Sequence, residues 1–394
     1  MIGTEDTRDL IDTCVHCGFC LPACPTYQLW GEEMDSPRGR IHLMSLLDEG
    51  EIGFDATAAV HIDRCLGCLA CVTACPSGVR YDVLIERTRA ARRRQAPRGL
   101  RARLVDRAVF ALFPHPRRLR AISWPLALGI RPLALAPRVS AADLRAAPSP
   151  HTPAVGTWRA SAALLSGCVQ RVYFGRVNRA AAAALAAAGC EVDVPAGQGC
   201  CGALALHAGR EDEARRRARA TIASFPGDRP VVVTAAGCGS AMKSYGELLG
   251  TDEAWRFSSR VRDVTELLAE LGAVAAADVP HRPLRVVYQD ACHLRHAQAV
   301  QAQPREVLAA VPGLELIEID EPDMCCGSAG IYNLTQPRAA RDLGDRKARA
   351  ILRAEPDVVA TANPGCALQL AAAFRRSGRR DLAVVHPVQL LGYS

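Results

Sequence analysis

Two cysteine runs limit what this chain can become more than any other feature. CVHCGFCLPACP places Cys14, Cys17, Cys20 and Cys24 in the pattern C-x-x-C-x-x-C-x-x-x-C-P, and CLGCLACVTACP repeats it at Cys65, Cys68, Cys71 and Cys75. Such a run wraps three closely spaced thiolates round a cubane, while the fourth cysteine, turned away before proline, ligates the neighbouring cluster. The spacing therefore predicts one [4Fe-4S] cluster on Cys14, Cys17, Cys20 and Cys75, and a second on Cys65, Cys68, Cys71 and Cys24. Structural zinc also accepts four thiolates, but its knuckles usually pair two C-x-x-C units and do not close three cysteines with C-P.

The rest of the composition agrees with an intracellular redox protein. With 394 residues and 49% hydrophobic content the chain has room for two or three domains with cores of their own. No apolar h-region precedes MIGTEDTRDL, which makes a reducing cytoplasm the expected compartment. There, seventeen cysteines read as metal ligands or redox groups before they read as disulfides. The longest apolar stretch, residues 121–137, is broken by Pro125, Arg131 and Pro132 and does not span a bilayer. Between 87 and 107 nine arginines face one acid, Asp106, which reads as a solvated helix or as a face for an acidic partner or anionic lipid at the inner side of the membrane. No aromatic residue interleaves with them as a base-stacking platform needs, so nucleic acid is not expected.

The fold class expected is mixed. Residues 1–95 read as a helical two-cluster ferredoxin-like domain, since PRGRIHLMSLLDEGEIG between the runs carries a helical stripe with a glycine stop. Residues 96–157 read as an Arg-, Pro- and Ala-rich linker. Beyond it the chain repeats itself: LLSGCVQRVYFG matches YQDACHLRHAQA, GCCGALALH matches MCCGSAGIY, and VVVTAAGCGSAMK matches VVATANPGCALQL. Two duplicated α/β domains follow, 158–275 and 282–394, whose apolar runs end in cysteine as strands of a parallel sheet do at a ligand-binding edge. Four thiols per copy converge: Cys168, Cys200, Cys201 and Cys238, then Cys292, Cys325, Cys326 and Cys366.

AGQGCCGALALH also spells G-x-G-x-x-G through Gly197, Gly199 and Gly202. A dinucleotide loop needs the first two glycines, which the second copy replaces by Pro322 and Met324, while C-C-G is kept in both. His16, His207, His293 and His296 read as hydrogen-bonding local backbone or as donors beside the clusters, and Cys190 as a packing residue.

These motifs, with PTYQLWGEEMDSPRGRIHLM, DACHLRHAQ, CCGSAGIYNL and NPGC, resemble the iron-sulfur subunit of glycolate oxidase over nearly the whole chain. The resemblance implies an electron-transfer subunit without a catalytic residue of its own. It would serve two flavoprotein subunits that hold FAD and oxidise a 2-hydroxy acid such as glycolate, and pass electrons to a quinone or another acceptor. C-C-G domains also occur in heterodisulfide reductase, in lactate-utilisation proteins and in anaerobic glycerol-3-phosphate dehydrogenase, which keeps disulfide reduction, lactate oxidation and glycerol-3-phosphate oxidation as alternatives. In heterodisulfide reductase the domain ends in C-x-x-C and supplies five cysteines. Counted from the second cysteine of each C-C pair, Cys238 and Asn363 lie 37 residues on, and Ala241 and Cys366 lie 40 on. On that count the copies have kept opposite halves of the motif, each still able to offer four thiolates to a further iron-sulfur cluster.

Overall fold

The computed structural model describes residues 5–96, 99–127, 141–277 and 283–393. The first part is all helical: α1 (Glu5–Asp12), α2 (Pro25–Trp30), α3 (Pro37–Glu49), α4 (Ala56–Arg64), α5 (Ala70–Thr73) and α6 (Tyr81–Gln95) are joined by the cysteine loops. Local chemistry sets their ends. Ser36 accepts from the Gly39 amide to cap α3, Pro37 occupies its first turn, and left-handed Gly50 stops it. Ile41 and Met44 of α3 then bury against Ile62 of α4 and Leu84 and Ile85 of α6.

The described residues of 96–157 carry secondary structure. They form α7 (Leu100–Leu112), α8 (Pro116–Ala127), α9 (Ala141–Arg145) and a short strand β1 (His151–Thr152). Val109 and Phe110 of α7 pack on Ala205 and Leu206, and Leu119 of α8 packs on Leu144 and Val172, so α7 and α8 lie against the first α/β unit. Residues 128–140, which include Arg131, Pro132 and the end of the apolar stretch, lie outside the described residues, as does Arg98. Among the described residues no helix is long and apolar enough to cross a membrane.

The remainder is mixed α/β with parallel sheets. In the first unit β2 (Ala160–Leu165), β3 (Cys190–Asp193), β4 (Val231–Val233) and β5 (Val261–Asp263) are parallel in the order β3-β2-β4-β5, and β1 joins β3 antiparallel at the edge. The second unit repeats that order with β7 (Leu314–Ile317), β6 (Leu284–Tyr288), β8 (Val358–Ala360) and β9 (Ala383–Val385). Val231, Val232 and Val233 are buried in succession, as a strand covered on both faces requires. The units share a core. Val307 and Val311, and Val388 and Leu391 near the C-terminus, pack with Val177, Leu185 and Leu268 of the first unit.

The arginines of 87–107 are less naked than the local sequence suggests. Arg87 pairs with Asp6 at 2.6 Å, Arg92 with Asp63 at 2.7 Å, Arg93 with Asp106 at 2.7 Å and Arg94 with Glu211 at 3.5 Å, while Arg89 donates to the Cys65 carbonyl at 2.5 Å. Apart from Asp106, the acids come from elements distant in sequence, which a local count cannot see. Arg103 and Arg107 remain exposed on α7.

Candidate metal centres

The two runs adopt one loop conformation. His16 and Gly18 in the first, and Gly67 and Leu69 in the second, all have left-handed φ, from 53° to 89°. This winding turns the thiols of each loop inward. Cys14, Cys17, Cys20 and Cys75 line one cavity, together with Cys71, and Cys24, Cys65, Cys68 and Cys71 line another. Each run's fourth cysteine thus reaches across to the other run's loop, and Cys71 stands in the wall between the two cavities.

A buried polar hub supports the second cavity. Arg40, 1% exposed, donates to Thr26 Oγ1 at 3.0 Å, to Asp35 Oδ1 at 3.2 Å and to the His61 carbonyl at 2.7 Å, with Cys24 Sγ at 4.0 Å. Asp35 is held in turn by His61 Nδ1 at 2.9 Å and Arg64 at 2.7 Å. Tyr81 donates its hydroxyl to Cys65 Sγ at 3.6 Å. Burial opposes ionisation of Cys65, but Arg40, Arg89 and the Tyr81 hydroxyl outweigh it and lower that thiol below its ordinary value. Burial pushes Cys20 up to about 11, and drives Cys68 and Cys71 well above the usual range. Neighbouring thiols add to burial in disfavouring ionisation of Cys68 and Cys71, and a coordinated polycation is what reverses that balance. The donor set therefore fits an iron-sulfur cluster in each cavity.

Each α/β unit gathers four more thiols. In the first, Cys168 follows β2, Cys200 and Cys201 lie in the loop after β3, and Cys238 sits in the helix Ala236–Lys243 after β4. Cys168 Sγ lies 3.6 Å from Cys200 Sγ, and Cys201 bonds to both Cys200 and Cys238. The second unit repeats the chain of contacts from Cys292 to Cys325, Cys326 and Cys366. Bonds from Cys168 and Cys201 pull Cys200 well below the ordinary thiol value against the effect of burial. Cys325 and Cys326 are driven well above it: each accepts one thiol bond, donates another, and is buried. The glycine of C-C-G is required. Gly202 and Gly327 have φ of 88° and 80°, and a Cβ on Gly327 would come within 2.6 Å of the Ala340 carbonyl. In both copies this glycine's amide donates to the first sulfur of the pair, at 3.5 and 3.4 Å. The segment 197–202 is therefore part of a thiol site.

The count that gave the copies opposite halves of a C-x-x-C pair is corrected by the fold. Cys238 is the third helical residue after its cap Ala235, and Cys366 the third after its cap Asn363. Both touch the second sulfur of their C-C pair, so the copies have kept the same cysteine. The spacing differs chiefly because the long helix before the strand runs 17 residues, Pro337–Arg353, against 14 in Glu211–Ser224. Asn363 has another task. Its Oδ1 accepts from the Gly237 amide of the first unit at 3.3 Å and its Nδ2 donates to Cys366 Sγ at 3.5 Å, which ties the two units together between their thiol sites.

The sites stand in sequence through the molecule. Cys71 separates the first cavity from the second. Cys68 packs in one apolar cluster with Cys325 and Cys292, next to the second unit's thiols, and Tyr332 donates to the Arg64 carbonyl at 3.0 Å. Asn363 then joins the second unit's site to the first's. Histidines line this path with partners that are not local backbone: His207 faces Glu86 at 3.4 Å, His296 Nδ1 meets Thr73 Oγ1 at 2.9 Å, and His207 stacks on His293 at 5.0 Å. Burial and then His207 push His293 down to about 3, so it is neutral. Cys190 is buried in the shared core.

Sequence reasoning missed Arg40, Asp35 and Asn363. Arg40 had left one sign, a charge in the same helical stripe as Met44 and Leu47. Asn363 left none, because its partner belongs to the other copy.

Comparison with known proteins matches residues 10–79 to the 4Fe-4S dicluster domain, and residues 162–243 and 286–371 to the cysteine-rich domain. The chain is 34% identical to the probable glycolate oxidase iron-sulfur subunit of Bacillus subtilis (strain 168), over 98% of this chain and 94% of that protein. It is 34% identical to the glycolate oxidase iron-sulfur subunit of Escherichia coli (strain K12), over 96% and 94%. Similarity to lactate utilization protein A of Oceanobacillus iheyensis is 26% and covers 57% of this chain and 93% of that one. With two cysteine-run cavities, two C-C-G units and relatives that match it from end to end, this chain belongs to the glycolate oxidase iron-sulfur subunit family.

Proposed function

We propose that the chain is the electron-transfer subunit of a complex that oxidises glycolate to glyoxylate, with the flavins on two partner flavoprotein subunits and a quinone or another acceptor downstream. The observation that carries this reading is the unbroken succession of thiol sites, each sharing a wall or a packing contact with the next. Bound [4Fe-4S] clusters supply one-electron storage and release. Cys14, Cys17, Cys20 and Cys75 hold the first and Cys65, Cys68, Cys71 and Cys24 the second. The eight thiols of the C-C-G units are ligands for a further cluster or clusters. The protein around them places Arg40 and Arg89 beside Cys65 and keeps His293 neutral, which sets the electrostatic environment of the neighbouring sites. The complex works in the cytoplasm, at the inner face of the membrane. Arg103, Arg107, Arg117 and Arg118 on the outward sides of α7 and α8, with exposed Leu104 and Ile122, support a peripheral contact there.

Iron and EPR measurements on anaerobically prepared protein test the assignment. The chain should carry more than about eight irons, the content of two cubanes. Cys17→Ser should remove one cubane signal and Cys68→Ser the other. Cys201→Ser with Cys326→Ser should lower iron and electron flow and leave both cubane signals. Retention of both signals in Cys17→Ser would overturn the ligand sets, and full activity with unchanged iron in the double variant would make the C-C-G units scaffolds.

A further inference from the structure

The two cysteine loops are copies of each other, and their equivalent faces have different fates. Val15, Cys17 and Phe19 of the first correspond to Leu66, Cys68 and Ala70 of the second, on backbones wound alike. In the second loop this face is covered: Leu66, Cys68 and Ala70 are 7%, 8% and 2% exposed and pack with Met324, Cys325 and Tyr332. It is the face through which the second cavity meets the next thiol site. In the first loop the same face is open, with Val15 and Phe19 each 67% exposed and Cys17 exposed between them.

From this equivalence we infer that the Val15–Cys17–Phe19 face is the docking surface for the electron-donating flavoprotein partner, which seats its flavin toward Cys17 as the second α/β unit seats its thiols toward Cys68. The inference rests on the electron-transfer reading above. Two large apolar side chains flanking an exposed ligand form the core of a small interface, the class to which transient redox encounters belong. Phenylalanine stands where the covered loop has alanine, and so supplies the reach that a separate molecule needs. The surface is also held in shape. Arg38 donates to the His16 carbonyl at 3.1 Å, pairs with Glu33 at 2.7 Å, and would meet a Cβ on Gly18 at 2.8 Å. His16 thereby keeps a left-handed φ of 53° that a non-glycine residue rarely adopts. With Arg38 tied to Glu33, this face differs from the arginine-bearing outer sides of α7 and α8, and a protein surface suits it better than anionic lipid.

Each encounter moves one electron. The partner's reduced flavin loses one and the site bounded by Cys14, Cys17, Cys20 and Cys75 gains it. A second transfer follows once the first electron has passed inward to the acceptor, and the flavin's protons leave to solvent.

The test is stopped-flow reduction of anaerobic, cluster-loaded chain by its substrate-reduced flavoprotein partner over a range of partner concentrations, with dithionite as a reductant that needs no docking. Phe19→Glu should raise the half-saturating partner concentration about tenfold or more, as charge at the centre of an apolar contact does, with dithionite reduction and both EPR signals unchanged. Val15→Glu should act in the same direction, and Phe19→Leu should restore most of the loss. Wild-type concentration dependence in both glutamate variants would overturn the proposal. So would a loss that appears with Leu104→Glu on α7 in their place, or a Phe19→Glu defect confined to binding of anionic vesicles. Wild-type protein without cubane signals would instead overturn the electron-transfer reading itself.

Discussion

Arg40 shows what a single side chain contributes here. It is a full charge removed from water beside two cysteines, and its guanidinium fork serves Thr26, Asp35 and the His61 carbonyl at once. Arg40→Leu leaves Asp35 buried with only His61 and Arg64. Thermal or denaturant unfolding should show a loss of about 3 kcal/mol, the low end for breaking a buried pair. Redox titration followed by EPR should also show the second cubane at a lower potential, since a nearby positive charge favours the reduced form. Arg40→Lys should recover little of either, because a point charge cannot reproduce the fork. At this scale the grouping of the run cysteines round two cavities was legible and their surroundings were not. The eight cysteines of the runs sit at covalent spacings that only a few metal centres accept. Arg40, Asp35 and Asn363 act through contacts between elements far apart in sequence, which no local spacing encodes.

Among the elements, Asp263 at the end of β5 gives a pH prediction. It caps the helix Val264–Leu271, accepting from the Thr265 amide at 2.9 Å within a capping box completed by Glu266. Burial raises its carboxyl to about 6. Between pH about 4 and 6 the folded protein therefore holds this proton more tightly than the unfolded chain does. This group's contribution to stability is greatest below that window, falls as pH rises through it, and is constant above. The change amounts to about 3 kcal/mol for a shift of roughly two units. Asp263→Asn keeps the acceptor and removes the titration, so the difference in unfolding midpoint between variant and wild type should move in the variant's favour from pH 4 to pH 6. The helix starts and stops, the duplicated strands and the cysteines at strand ends were readable because capping residues and apolar runs are local. Helices α7 to α9 were hidden in what reads as linker, since proline and alanine mask the few residues, Val109, Phe110, Leu119 and Leu144, that bury them on the first unit. The matched position of Cys238 and Cys366 was hidden by a difference in helix length.

For the molecule as a whole, the sequence shows the thiol sites but not their order, because the order comes from packing: Cys68 against Cys325, and Gly237 against Asn363. The shared core has a consequence of the same kind. Leu391 is fully buried among side chains of the first unit, and Leu391→Ala should cost about 3 kcal/mol. Hydrogen exchange should speed up at the amides of β2 and β3 as well as near the C-terminus. Protection lost only in the second unit would show that the units fold apart. A ribosome builds a chain from the N-terminus onward, and Val388 and Leu391 are made after every residue of the first unit. The first unit, though synthesised earlier, cannot close its interior until Val388 and Leu391 have emerged, and Cys168, Cys200, Cys201 and Cys238 settle into their final arrangement only after the second unit has been made.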